Sequence, residues 1–195
     1  IICFEPYTPY VKILKKLKIK NIKIYPYGID KFNKYYDVFF PRYRFFSKNL
    51  DLITYTFYDK KKLIKQINLD FVFKKNIEII NQKIYLKKVK KIQTKIHLIK
   101  IDVNGHELSV IKGLYNIIKK DKPALIIETD KNINKINHFL TKFNYGKYSF
   151  LKKKKSFEKI KKIYPLNTYF LQSSHLNWDN LYFIKKRKFK KIYQS

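Results

Sequence analysis

The sequence predicts an α/β protein with a mostly parallel sheet, and three observations carry that expectation. Residues 98–103 are apolar except for Lys100 and Asp102, the pattern of a nearly buried parallel strand that delivers a carboxylate to its carboxyl end. Gly105 then supplies a turn, and Leu108, Ile111, Leu114, Tyr115 and Ile118 recur at helical spacing until Lys119-Lys120 and Pro123 close the helix. A second apolar run, residues 124–127, ends on Glu128. Strand, helix, strand is a parallel crossover unit, and the carboxyl ends of such strands are where open α/β sheets keep their chemistry.

The same unit is expected at the amino-terminal end. Ile1-Ile2-Cys3-Phe4 reads as an apolar strand ending on Glu5-Pro6. Thr8 is placed to cap a helix with Pro9 at its first position, and Val11, Ile13, Leu14 and Leu17 give that helix its apolar stripe. Residues 22–25 alternate as a further strand, broken by Pro26 and Gly28. Residues 31–58 crowd aromatic side chains without a sustained period and read as an irregular aromatic-rich insert. Residues 59–67 suggest a short lysine-rich helix, and Glu78-Ile79-Ile80 and residues 83–89, split by Asn81-Gln82, suggest short extended pieces or a hairpin. After Glu128, Ile133, Ile136, Phe139, Leu140 and Phe143 mark an amphipathic helix, and Asn144-Tyr145-Gly146 turns into a strand over 147–151. A polar, poorly periodic stretch follows, then a last strand over 181–184 and a basic tail over 185–195. On this reading the strands at 1–4, 22–25, 98–103 and 124–127 lie parallel in one sheet, with Glu5, Asp102 and Glu128 at one edge.

A chain of 195 residues with 45% apolar and 17% aromatic residues is long enough for one domain, 1–195, with its own core. No apolar stretch approaches the roughly 20 residues that cross a bilayer, and the start does not read as a signal peptide, so a soluble, cytoplasmic protein is expected. The single cysteine, Cys3, sits in an apolar run and reads as a small buried thiol rather than a nucleophile. The net charge of +31 invites a nucleic-acid partner. It comes almost wholly from lysine spread along the chain, however, beside abundant Ile, Asn and Tyr, as an AT-rich coding sequence would give. Arginine, the residue suited to bidentate phosphate and guanine contacts, occurs only at Arg42, Arg44 and Arg187. Weak, salt-sensitive attraction to nucleic acid is therefore expected, not specific recognition.

Asp102 and Glu107 can present two carboxylates, and His106 an imidazole, toward one pocket. Glu107 also suits the first turn of a helix as a partner of its dipole, and His106 can be either a base or a polar loop residue. Glu128 can line the same crevice or pair with a lysine or a backbone donor. His97, His138 and His175 lack zinc-ligand spacing, and no metal site is expected.

The run Asp102-Val103-Asn104-Gly105-His106-Glu107, with Lys112-Gly113 after it, resembles the signature of FkbM-type methyltransferases, in which a strand ends in Asp-x-Glu-Gly-x-Glu. Phe4-Glu5-Pro6, one strand-helix-strand unit earlier, strengthens the likeness. Asn104 stands where the family usually has its first Glu. The resemblance implies a Rossmann-like methyltransferase fold and S-adenosyl-L-methionine as cofactor, with Glu5 accepting hydrogen bonds from its ribose hydroxyls. It also implies methyl transfer to a hydroxyl of a sugar, glycan or other small molecule, with Asp102, His106 and Glu107 as catalytic residues and Glu128 in the substrate pocket. Gly28, Gly105, Gly113 and Gly146 are the only glycines, and none belongs to a Gly-x-Gly pair. By the family's pattern the chain is therefore expected to lack the first strand and glycine-rich loop, to leave a gap between strands 1–4 and 98–103, and to be inactive alone. The rival readings are a non-catalytic remnant or binding module of the same fold, and a basic nucleic-acid-binding protein.

Overall fold

The structure, a computed structural model, describes residues 1–45, 48–70, 76–128, 132–151, 156–160 and 167–176. The last strand expected at 181–184 and the basic tail at 185–195 lie outside the described residues.

The chain begins with the predicted crossover. Strand β1 (Ile2–Phe4) pairs in parallel with β2 (Lys23–Tyr25), and helix α1 (Thr8–Lys16) connects them. Thr8 is the first helical residue and Tyr7 occupies the cap position, so the expected cap lies one residue earlier. Of the expected stripe only Val11 is buried; Ile13 and Leu17 remain more than half exposed, at 53% and 59%, because the narrow two-stranded sheet covers a single line of the helix.

The aromatic stretch is not irregular. Strand β3 (Gly28–Ile29), β4 (Lys34–Phe45), β5 (Lys48–Asp51) and β6 (Ile77–Lys87) form a four-stranded sheet in the order β3-β6-β4-β5. β4 runs antiparallel to β6 from Lys34 opposite Leu86 to Tyr43 opposite Ile77. Val38 and Phe40 of β4 and Ile84 and Leu86 of β6 are buried, while Tyr35 is 70% exposed, so the period of two is present. It is hidden in the sequence because aromatic residues occupy both faces of β4. The expected break at Asn81-Gln82 is likewise absent, since those residues pair with Phe39 and Val38 inside one continuous strand. Helix α2 (Lys60–Asp70) follows β5, with Asp59 Oδ1 accepting the Lys61 amide at 2.9 Å and Leu63 and Ile67 buried.

The third sheet has five strands in the order β10-β9-β11-β8-β7. Strand β7 (Leu98–Ile101) is parallel to β8 (Ala124–Ile127), and the crossover passes through α3 (Glu107–Gly113) and α4 (Tyr115–Asp121). The expected single helix is thus two, broken at Leu114. Helix α5 (Ile133–Thr141) leads to β9 (Gly146–Leu151), which pairs antiparallel with β10 (Ser156–Lys159). Strand β11 (Thr168–Leu171) enters between β8 and β9, antiparallel to both, and α6 (Ser173–Leu176) follows.

The expectation of one mostly parallel sheet is therefore corrected. The architecture is α/β, but β1 and β2 form their own sheet, and the other two sheets are mixed. Among the described residues parallel pairing is confined to β1–β2, β3–β6 and β7–β8, while β10 and β11 run against β7, β8 and β9. β7 ends at Ile101 and among the described residues has a neighbour on one side only; Leu98 and Lys100 are exposed and only Ile101 is buried, in place of the nearly buried strand expected. The principal core joins Ile101, Leu125, Ile127 and Phe170 of this sheet to Ile111, Ile118, Ile136 and Leu140 of the covering helices, and Phe4 of β1 packs against it.

Candidate functional site

The site begins where β7 stops. Asn104 and Gly105 both take left-handed backbone conformations, with φ of 50° and 93°, and so turn the chain sharply from strand to helix. Asparagine tolerates that conformation better than a glutamate does, which gives Asn104 a local physical reason to be there. Glu107, 1% exposed, folds back under the turn, and its Oε1 accepts the amides of Gly105 at 2.9 Å and Val103 at 3.4 Å. Glu107 thereby holds the turn from within.

His106 occupies the cap position of α3, and its side chain meets Asp30. Its Nε2 lies 2.8 Å from Asp30 Oδ2. Asp30 follows β3 and is fully buried; its amide donates to the Lys87 carbonyl at 3.1 Å, and its Oδ1 accepts the Phe32 amide at 3.2 Å. Burial pushes the Asp30 carboxyl upward, but the hydrogen bonds from His106 and the Phe32 amide outweigh it and hold the group below the usual carboxylate range. The His106 imidazole is pulled below its ordinary value by burial, which the Asp30 charge only partly offsets. Tyr58 stacks on the imidazole with centroids 4.5 Å apart at 22°, and Tyr36 meets it edge-on at 5.4 Å.

Asp102 and Glu128 stand apart from this buried group, on the exposed ends of β7 and β8. Lys100 Nζ donates to Asp102 Oδ2 at 2.6 Å, and this bond, with one from Glu128, holds the Asp102 carboxyl low. Glu128 is pushed up, first by its hydrogen bond with Asp102, then by burial and by the charges of Asp102 and Glu107. The same contact thus moves the two acids in opposite directions, Asp102 down and Glu128 up.

Glu5 lies just past β1, and its Oε1 accepts the Tyr7 amide at 2.8 Å. Burial raises its pKa, against the effect of that bond. Tyr7 is itself anchored: its hydroxyl donates to Asp51 Oδ2 at 3.1 Å, while Arg42 grips the same carboxylate through Nε at 2.5 Å and Nη2 at 3.1 Å. Its phenol is pushed up to about 12 by burial and by Asp51. Tyr58 ties the groups together: burial raises its pKa, and so do the charges of Glu107, Asp30, Tyr36 and Glu5.

The residues expected to converge are therefore arranged in two groups. Asp102 and Glu128 form an exposed carboxyl pair; His106 joins Asp30, Tyr36 and Tyr58 in a partly buried one; and Glu107 lies between, its charge acting on both Glu128 and Tyr58. Asp30, Tyr36 and Tyr58 escaped the reading of the sequence. Asp30 does end an apolar step, but Gly28–Ile29 is too short to show a period. Among the described residues no three His, Cys, Asp or Glu side chains converge as a metal ion requires.

The turn, its helix and the two acid-ending strands lie inside a match to the methyltransferase FkbM domain that spans residues 18–181. The chain belongs to the FkbM methyltransferase family. The FkbM match takes in Asp30, Asp102, His106, Glu107 and Glu128, and begins after Glu5. The crystal structure of methyltransferase FkbM from Methylobacillus flagellatus KT is similar over 87% of this chain and 36% of that one, at 15% identity and a TM-score of 0.47. This FkbM chain thus spans about a third of that protein's length. No curated protein matches it. Among the described residues no helix is long and apolar enough to cross a membrane.

Proposed function

We propose that this methyltransferase uses S-adenosylmethionine and transfers its methyl group to a hydroxyl of a sugar, a glycan or another small molecule. The observation that carries the reading is the environment of Tyr58, which lies within electrostatic reach of both Glu5 and Glu107 and stacks on His106. A carboxylate suited to ribose hydroxyls and an imidazole suited to an acceptor proton thus share one neighbourhood.

The donor set fits the cofactor. Among the described residues only one oxygen of Glu5, Oε1, is engaged, so Oε2 is left to accept from hydroxyls. Glu5 would hold the cofactor through its ribose hydroxyls, and S-adenosylmethionine would supply an electrophilic methyl group for an acceptor oxygen, its sulfur keeping the electron pair of the broken C–S bond. The protein's part is alignment and removal of the acceptor proton. His106 takes that proton. Glu107 keeps the Asp102–His106 turn in shape, and the exposed Asp102–Glu128 pair offers carboxyl oxygens to hydroxyls of the substrate.

Titration of the 15N-labelled chain with S-adenosylhomocysteine tests this, because the Tyr7 amide reports directly on Glu5. Shifts at Tyr7 and Gly105 that vanish in Glu5→Ala support the reading. Binding that shifts other signals and leaves those of Tyr7 and Gly105 unmoved refutes it.

A further inference from the structure

Asp30 has no assigned role, yet it is a fully buried carboxylate aimed at the imidazole of the candidate base. A buried charge is costly unless it is paired, and this one is paired on both oxygens. Oδ1 takes the Phe32 amide, and Oδ2 faces His106 Nε2.

The backbone is shaped around this contact. A β-carbon on Gly113 would lie 2.4 Å from the Asp30 carbonyl oxygen, so only glycine lets α3 come this close to the end of β3. Helix α3 carries His106 at its start and Gly113 at its end, so one close approach sets the distance of the other. The imidazole plane is fixed as well, by Tyr58 on its face and Tyr36 at its edge.

We propose that Asp30 is a positioning residue that fixes His106 as the Nε2–H tautomer, leaving the Nδ1 lone pair as the atom that receives the acceptor's hydroxyl proton. An ionised carboxylate has no proton to give, so the hydrogen in the 2.8 Å contact belongs to Nε2. Neutral imidazole carries one N–H, and Nδ1 is then an acceptor; among the described residues it has no hydrogen-bond partner. When the proton arrives at Nδ1 the ring becomes an imidazolium whose charge faces Asp30, and the proton is later released to solvent. The other groups around the ring are Lys34, whose charge disfavours that imidazolium, and the phenols of Tyr36 and Tyr58. This assignment deepens the methyl-transfer reading and rests on it for the role, though not for the tautomer.

Long-range 1H–15N spectra of the histidine rings test the tautomer without any cofactor, with His106 identified by its loss in His106→Gln. The parent chain is expected to show His106 protonated on Nε2 at neutral pH. In Asp30→Asn, Oδ1 keeps the Phe32 amide and the new amide group faces Nε2, so the ring should switch to the Nδ1–H tautomer. Once an acceptor is in hand, the same variant should lower kcat by about 100-fold or more with little change in KM. An Nδ1–H tautomer in the parent overturns the proposal even if the variant does not fold. A variant that folds and keeps the parental tautomer overturns it too. Failure of the S-adenosylhomocysteine titration with the expected tautomers would instead remove the methyl-transfer reading and leave the dyad standing.

Discussion

Gly113 and Asp30 touch backbone to backbone, close enough that a single added methyl group would overlap the Asp30 carbonyl. Alanine normally gains about 1 kcal/mol over glycine in a helix. Here the overlap is with main chain, which cannot rotate away, and overpacking of this kind costs about 1–3 kcal/mol. Gly113→Ala should therefore lower stability in urea unfolding and lengthen the His106–Asp30 contact. A variant at least as stable as the parent would mean that α3 can move away without loss.

Stability should depend on pH through burial of the His106 imidazole, whose effect the Asp30 contact opposes. His106 is held below its ordinary 6.5, so just below that value the unfolded chain binds a proton that the folded chain refuses. Its contribution is full above the unfolded value and is lost as the pH falls through the folded one. His175 is also lowered by burial and acts in the same direction, whereas Glu5 and Glu128 are raised and act in the opposite one. The clean measurement is a difference: from about pH 7.5 to about pH 5.5 the melting temperature of the parent should fall further than that of His106→Gln, whose amide still donates to Asp30. Parallel curves would show that His106 titrates alike in both states. His106→Ala is the poorer probe of catalysis, since it strips a buried carboxylate of its partner and costs about 1–3 kcal/mol in stability.

Glu128 should lose its raised pKa when its neighbour loses its charge. In Asp102→Asn, carbon-detected titration is expected to find Glu128 lower than in the parent, toward its ordinary 4.5, with stability changed by less than about 0.5 kcal/mol because both side chains are exposed. A Glu128 titration unmoved by the substitution would dissolve the pair.

Asn104 tests whether backbone or charge decides that position. Restoring the family's carboxylate with Asn104→Glu should cost about 1 kcal/mol, because φ is 50° there, while Asn104→Gly should be tolerated. Urea midpoints decide it, and equal midpoints for Glu and Asn would show that the turn readjusts freely.

Much of this arrangement was legible in the sequence, and the remainder was hidden for identifiable reasons. The β7–turn–α3–β8 unit announced itself because an apolar strand, a glycine and a helical period follow one another without interruption. Glu5, Asp102 and Glu128 stand at the ends of strands as expected. What could not be read was pairing across distance: β4 finds its partner β6 across a long intervening stretch, and its aromatic faces conceal the alternation that would have marked it. Asp30 was invisible for the same reason, since its importance lies in a contact with a residue 76 positions away. The assumption that one sheet holds all the parallel strands failed because strand composition reports burial and not which neighbour provides it.

Among the described residues no strand lies on the outer side of β7, and this has a consequence for how copies of the 195-residue chain behave toward one another. A strand with bare amides and carbonyls along one side is a template onto which a second molecule can add its own. Lys100 stands in the middle of this edge, and a charged, hydrated side chain there makes such an addition unfavourable. The residue that tethers Asp102 is thus expected to guard the 195-residue chain against self-association as well. Lys100→Ile should scatter more light at high concentration than the parent and the more so as salt screens the +31 charge; equal scattering would assign the protection to net charge alone.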